Sequence, residues 1–135
     1  MAKLIVDGQD LVVRLSPLEK LGAFHGDVRV PLRAVRSAQP EPHPWDAVRG
    51  VKAAGTGIPR VAVLGTRYVK SGRDFVALVA GRPVVRVELS DQAPYEQLLV
   101  SVRDAESSVA AIRAATGVYP RPVNNLDLHA ARTAQ

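Results

Sequence analysis

Between about residues 60 and 102 the chain alternates apolar and polar side chains in the two-residue period of a β-strand, and at Asp104 the period changes to that of a helix. Several strands followed by one closing helix predict a mainly β domain, a small barrel or sandwich with a helix laid over one end. The strands are read at residues 61–69, 74–80, 84–89 and 95–102, with turns at Lys70-Ser71-Gly72-Arg73, Gly81-Arg82-Pro83 and residues 90–94. Val85, Val87 and Leu89 are expected on one face, with Arg86 and Glu88 on the other, and Leu98, Val100 and Val102 are expected to point inward. Asp104 is placed to cap the helix, and Ala105, Val109, Ile112 and Thr116 form one apolar stripe along it. Gly117 suits the residue just past its end.

The first half reads less regularly. Residues 4–6 and 11–15 predict a hairpin about Asp7-Gly8-Gln9-Asp10, with Leu11, Val13 and Leu15 on one face. Ser16-Pro17-Leu18-Glu19 is a capping box opening a helix that Gly22 and Gly26 stop after one or two turns. Val28, Val30 and Leu32 alternate with Arg29, Pro31 and Arg33, which predicts a strand continuing toward Val35; Pro31 places it at an edge or a bulge. Residues 39–44 carry three alternating prolines and predict an extended loop, with Trp45 either pinning that loop to the body or stacking on a ligand. Residues 50–59, rich in glycine, are expected to be a further loop. Residues 117–135 are expected to be a polar, mobile tail with a helical turn near residues 126–132, leaving residues 1–116 as the domain.

Composition bounds what such a domain can do. A chain of 135 residues with 47% hydrophobic and only 4% aromatic side chains can build one core, mostly of Val, Leu, Ile and Ala. The absence of Cys excludes disulfides and Cys-based metal sites. The apolar run at residues 4–6 is cut by Asp7 and is too short for the core of a secretory leader, and no stretch reaches the roughly 18 apolar residues that span a bilayer. A cytoplasmic protein is expected. The net charge of +5 is concentrated in one segment: residues 49–73 hold Arg49, Lys52, Arg60, Arg67, Lys70 and Arg73 and no acid.

The chain resembles the bacterial pleckstrin-homology-like (PH-like) domains, particularly the small actinobacterial type. The likeness is carried by Val30-Pro31-Leu32 with Val35, Arg49-Gly50-Val51-Lys52, Gly55-Thr56-Gly57-Ile58-Pro59, Gly65-Thr66, Phe75, residues 84–89, and Tyr95 through Asp104 into the helix. It covers about residues 4–116. The resemblance implies a seven-stranded, strongly bent barrel or sandwich capped by a C-terminal α-helix, serving as a non-enzymatic scaffold for lipids, peptides or proteins. Lipid-binding eukaryotic members carry a basic cluster in the first hairpin; here that hairpin is acidic.

No arrangement of side chains points to catalysis or to a cofactor. Gly55-Thr56-Gly57 lacks the preceding strand, the following helix and the Lys-Ser/Thr pair of a phosphate loop, and its glycines are expected to serve tight turns. His25, His43 and His129 lack metal-site spacing. No Ser lies in a nucleophile turn, and the Asp7/Asp10 and Asp104/Glu106 pairs are explained by a turn and a helix start. Tyr68 and Phe75 are the only aromatics near the basic run, too few for a base-stacking platform, and one is expected in the core, so nucleic acid is disfavoured. What remains is an interaction module that binds a protein or an acidic partner through Arg49, Lys52, Arg60, Arg67, Lys70 and Arg73. The alternatives are a self-assembling homo-oligomer, joined at the Pro31 edge or the closing helix, and peripheral contact with an anionic lipid surface.

Overall fold

The structure, a computed structural model, describes residues 1–117; the expected tail beyond Gly117 lies outside the described residues. Among the described residues nine strands form two sheets in a sandwich-like arrangement that does not close into a barrel, two strands more than the seven expected.

The smaller sheet is β1 (Lys3–Asp7), β2 (Asp10–Arg14) and β3 (Val28–Pro31), antiparallel in that order. The Asp-Gly hairpin forms as expected, with Gly8 left-handed at φ 61°. Its acids are engaged: Arg29 on β3 donates to Asp7 at 2.9 Å and to Asp10 at 2.8 Å. Between β2 and β3 lies helix α1 (Pro17–Ala23), opened by the capping box read from the sequence.

The expected strand through Leu32 to Val35 is instead broken. A turn of 3₁₀ helix (Leu32–Ala34) follows Pro31, and β4 (Val35–Pro40) starts afresh in the other sheet. Pro31 thus ends β3 at the edge of the small sheet, where its missing N–H costs nothing. The alternating prolines are likewise divided. Pro40 closes β4, itself an edge strand, and Pro44 opens the short helix α2 (Pro44–Ala47).

The larger sheet runs β4–β8–β9–β7–β6–β5, with β5 (Val51–Ile58), β6 (Ala62–Val69), β7 (Gly72–Val79), β8 (Val84–Leu89) and β9 (Gln97–Ser101). Strand β9 inserts between β8 and β7, antiparallel to the first and parallel to the second. The expected loop at residues 50–59 is in fact β5. Its glycines serve close backbone crossing rather than tight turns: Gly55 stands opposite Gly65, and a Cβ on Gly55 would overlap the Leu64 carbonyl oxygen. Both adopt positive φ, near 126° and 123°, which side chains rarely accept.

The main core fills the space between the sheets. Leu11, Val13, Val28 and Val30 meet Phe75, Ala77, Val85, Val87, Leu98 and Val100. Helix α3 (Ala105–Thr116) closes the open end, burying Ala105, Val109 and Ile112 and capped by Asp104 and Gly117. Its stripe is therefore spent on the core. Arg113 ties it to the sheet by donating to the Ala38 carbonyl at 3.1 Å. A second cluster, Val63, Val76, Leu78, Val84 and Leu99, lies on the outer face of the large sheet, where Trp45, Ala47 and Val48 cover it. Trp45 is thus an anchor for residues 41–50. No helix among the described residues is long and apolar enough to cross a membrane.

Candidate functional site

Residues 41–50 cross the outer face of the large sheet and leave a cleft on either side. The larger, about 860 Å³, is lined by Arg36, Arg49, Arg73, Arg86, Glu88 and Glu96 among others. The smaller, about 430 Å³, is lined by Trp45, Asp46, Val48, Gly57, Pro59, Arg60, Val63 and Arg67.

Asp74 organises the larger cleft. It shares a face with Val76 and Leu78, so the pleat carries its carboxylate into the interior, where it is fully buried. A buried carboxylate requires a partner. Arg49 supplies it with a two-pronged contact, Nε to Oδ2 at 2.8 Å and Nη2 to Oδ1 at 2.6 Å. Gln97 donates to the same carboxylate at 3.3 Å and to the Ala47 carbonyl at 3.2 Å. The hydrogen bonds that Arg49 donates to Asp74, opposed by burial, hold the pKa of the Arg49 guanidinium above its ordinary value. Arg86 bridges Glu41 at 3.2 Å and Glu88 at 3.3 Å, the first an ion contact without an aligned hydrogen bond. These pairs cancel charge and staple the crossing segment to the sheet.

The smaller cleft is different. Its floor is apolar, from Trp45, Val48, Pro59 and Val63, while its arginines, Arg60 and Arg67, form no ion pair among the described residues. Arg67 donates to the carbonyls of Arg49 at 2.9 Å and Gly50 at 2.8 Å, which fixes the guanidinium without neutralising it. Lys52 stands directly opposite Arg67 across the β5–β6 pair, a like-charge pairing that costs stability unless an anion relieves it. The Lys52 side chain lies along Gly57, its Cδ 3.9 Å from where a Cβ there would sit. Arg60, in the β5–β6 turn, is held at φ 60°, unusual for a long side chain. Among the described residues neither Lys52 nor Arg60 has an ion-pair partner, and the one acid in the lining is Asp46.

Of the six basic residues expected to act together, the structure therefore gathers Lys52, Arg60 and Arg67. Arg49 is committed to Asp74. Arg73 lies over the Tyr95 ring at 5.2 Å and donates to the Pro94 carbonyl at 3.3 Å. Lys70 sits in the turn at the far end of β6, about 23 Å of strand from the Arg60 end.

The sequence reading passed over Asp74. Its signal was available, because an acid in register with Val76 and Leu78 must find a partner. His25 contacts the Tyr95 hydroxyl at 3.2 Å and lies 5.4 Å from the Phe75 ring. No group of three His, Asp or Glu side chains able to hold a metal gathers among the described residues.

The chain matches no family model, no curated protein and no solved structure.

Proposed function

We propose that this chain is a non-catalytic, cytoplasmic interaction module whose smaller outer cleft receives an acidic segment of a partner protein. The observation that carries the reading is that Arg60 and Arg67 line an apolar floor headed by Trp45, with Lys52 beside them, opposite Arg67 and along Gly57. The floor takes an apolar or aromatic side chain, and the fixed Arg67 guanidinium with Lys52 and Arg60 takes carboxylates beside it. The PH-like resemblance, which implies a binding scaffold, supports the same reading.

Trp45 is the only tryptophan in the chain, so its emission reports on the cleft directly. Titration with poly-glutamate at low salt is expected to change Trp45 fluorescence in the wild type. The Arg60→Glu/Arg67→Glu variant is expected to show no change. A wild-type signal indifferent to poly-glutamate, or a variant that responds equally, would remove this site.

A further inference from the structure

Helix α1 is docked inside out. An amphipathic helix ordinarily buries its large apolar side chains and shows its polar ones. Here Glu19 and Ala23 are buried, while Leu18, Leu21 and Phe24 are 79%, 68% and 72% exposed. The inward face is held by polar and small groups. Glu19 accepts from the backbone N–H of Ala2 at 2.9 Å and of Ser16 at 2.8 Å. The Gly22 carbonyl accepts from Thr56 Oγ1 at 2.7 Å. Gly22 also permits close approach, since a Cβ there would come within 2.8 Å of a Leu64 methyl. Phe24, which closes the helix, is left-handed at φ 52°, where glycine is the favoured choice.

The apolar surface continues on both sides of the helix. Thr56 and Leu64, beneath α1, share the inner face of the β5–β6 pair with Val51 and Tyr68 toward one end and Ile58 toward the other. Val51, Tyr68 and Ile58 are 66%, 57% and 50% exposed. With the three α1 residues they present about 800 Å² of largely apolar surface, more than the largest patch of a typical monomer and as much as one partner gives to a standard interface. The surface is also poor in charge. No inner position of β5 or β6 holds an acid or a base, because Lys52 and Arg67 face each other on the outer side. On α1 Glu19 is buried, and Lys20 is offset by Asp27 at 3.8 Å. Lys70, in the β6–β7 turn, stands only at the rim.

We infer that α1 and the adjoining β5–β6 shelf form the contact between two copies of this chain, Leu18, Leu21 and Phe24 of each packing on the other. Homodimer interfaces are the ones that are apolar and depleted of charge. An anionic membrane would need cations on this face, and Lys52, Arg60 and Arg67 lie on the other side of the sheet. A peptide helix needs a groove, whereas this face is a ridge with a shelf at each side. A ridge beside a shelf complements itself: a two-fold axis sets each α1 over the partner's β5–β6 surface. The same axis turns the cation-lined clefts outward, away from each other. The contact uses neither the Pro31 edge nor the closing helix. It is also separate from the Trp45 cleft, so this inference and the proposed function can fail separately. An interface of this size without ion pairs or a deep pocket belongs at the micromolar end of the range. Dilute protein is therefore monomeric, with these side chains solvated.

The test is sedimentation equilibrium of the full chain from about 0.1 μM to about 500 μM. A monomer at the low end and a dimer at the high end are expected, with little effect of salt because no ion pair holds the contact. Leu21→Gln and Phe24→Gly change exposed positions of the monomer, so its fold is expected to persist by circular dichroism. Each is expected to weaken dimerisation by at least about ten-fold. Arg60→Glu/Arg67→Glu alters only the Trp45 cleft and is expected to leave the dimer intact. A monomer throughout would overturn the inference. So would a dimer that Leu21→Gln and Phe24→Gly leave intact, or one that the cleft variant dissolves. A monomer that co-sediments with phosphatidylserine vesicles, and loses that binding in Leu21→Gln, would assign the face to a lipid surface instead.

Discussion

Helices α1 and α3 begin alike and end in opposite relations to the core. Each opens on a side-chain cap, Ser16 accepting from the Glu19 N–H and Asp104 from the Ser107 N–H, both at 3.2 Å. Each ends in a left-handed residue, Phe24 or Gly117. Yet α3 spends its apolar stripe on the core, while α1 turns Glu19, Gly22 and Ala23 inward and shows its leucines. Capping decides where a helix starts and stops. Which face it buries is decided by what it lands on, and the two need not agree with hydropathy.

The sharpest way to break the comparison is to remove a large side chain from each inward or outward face. Ile112→Ala leaves a cavity beneath α3 and is expected to cost about 3 kcal/mol in urea denaturation. A cost under about 1 kcal/mol would mean that α3 is not part of the core. The caps should behave alike in spite of the docking difference. Ser16→Ala and Asp104→Ala each lose one bond to an orphan helix N–H, and each is expected to cost about 1 kcal/mol by the same measurement. A much larger loss for Ser16 would show that its capping box also carries the attachment of Glu19 to the small sheet.

The same division explains how much was legible beforehand. Signals confined to a few neighbouring residues were readable: the Asp7-to-Asp10 hairpin, both caps, the alternation of Val85, Val87 and Leu89, and the Ala105, Val109 and Ile112 stripe. Elements whose reason lies elsewhere in the chain were not. Residues 51–58 resemble a loop because their glycines answer to β6, where Gly55 faces Gly65 ten residues on, and not to one another. The break at Leu32 reflects a change of sheet, which no local period records. The candidate site divides in the same way. Charge counting located the basic run, but a count cannot tell Arg49, whose charge Asp74 offsets, from Arg67, whose partners are neutral carbonyls.

Phe24 tests the cost of the inverted end of α1. Glycine at this position removes the left-handed penalty of about 1–2 kcal/mol and adds unfolded-chain entropy of about 0.5–1 kcal/mol. The ring makes little contact to lose, being mostly exposed. Phe24→Gly is therefore expected to raise stability by about 0.5–1 kcal/mol, the opposite sign from every change beneath α3. A clear destabilisation would mean that the ring packs on the body of the protein.

The smallest effect is the most pointed. Leu21 sits at the centre of the α1 outer face, three residues after Leu18 and three before Phe24, and a leucine in the corresponding setting on a core helix would cost several kcal/mol to replace. Because its side chain is already solvated, Leu21→Gln is expected to change stability by less than about 0.5 kcal/mol. Helix propensity is nearly equal for the two residues, so neither the folded helix nor the unfolded chain supplies a compensating term. A loss comparable with that of Ile112→Ala would show that Leu21 is buried in the protein as it exists in solution. A null effect on stability leaves the residue free to serve a surface that the fold itself does not use.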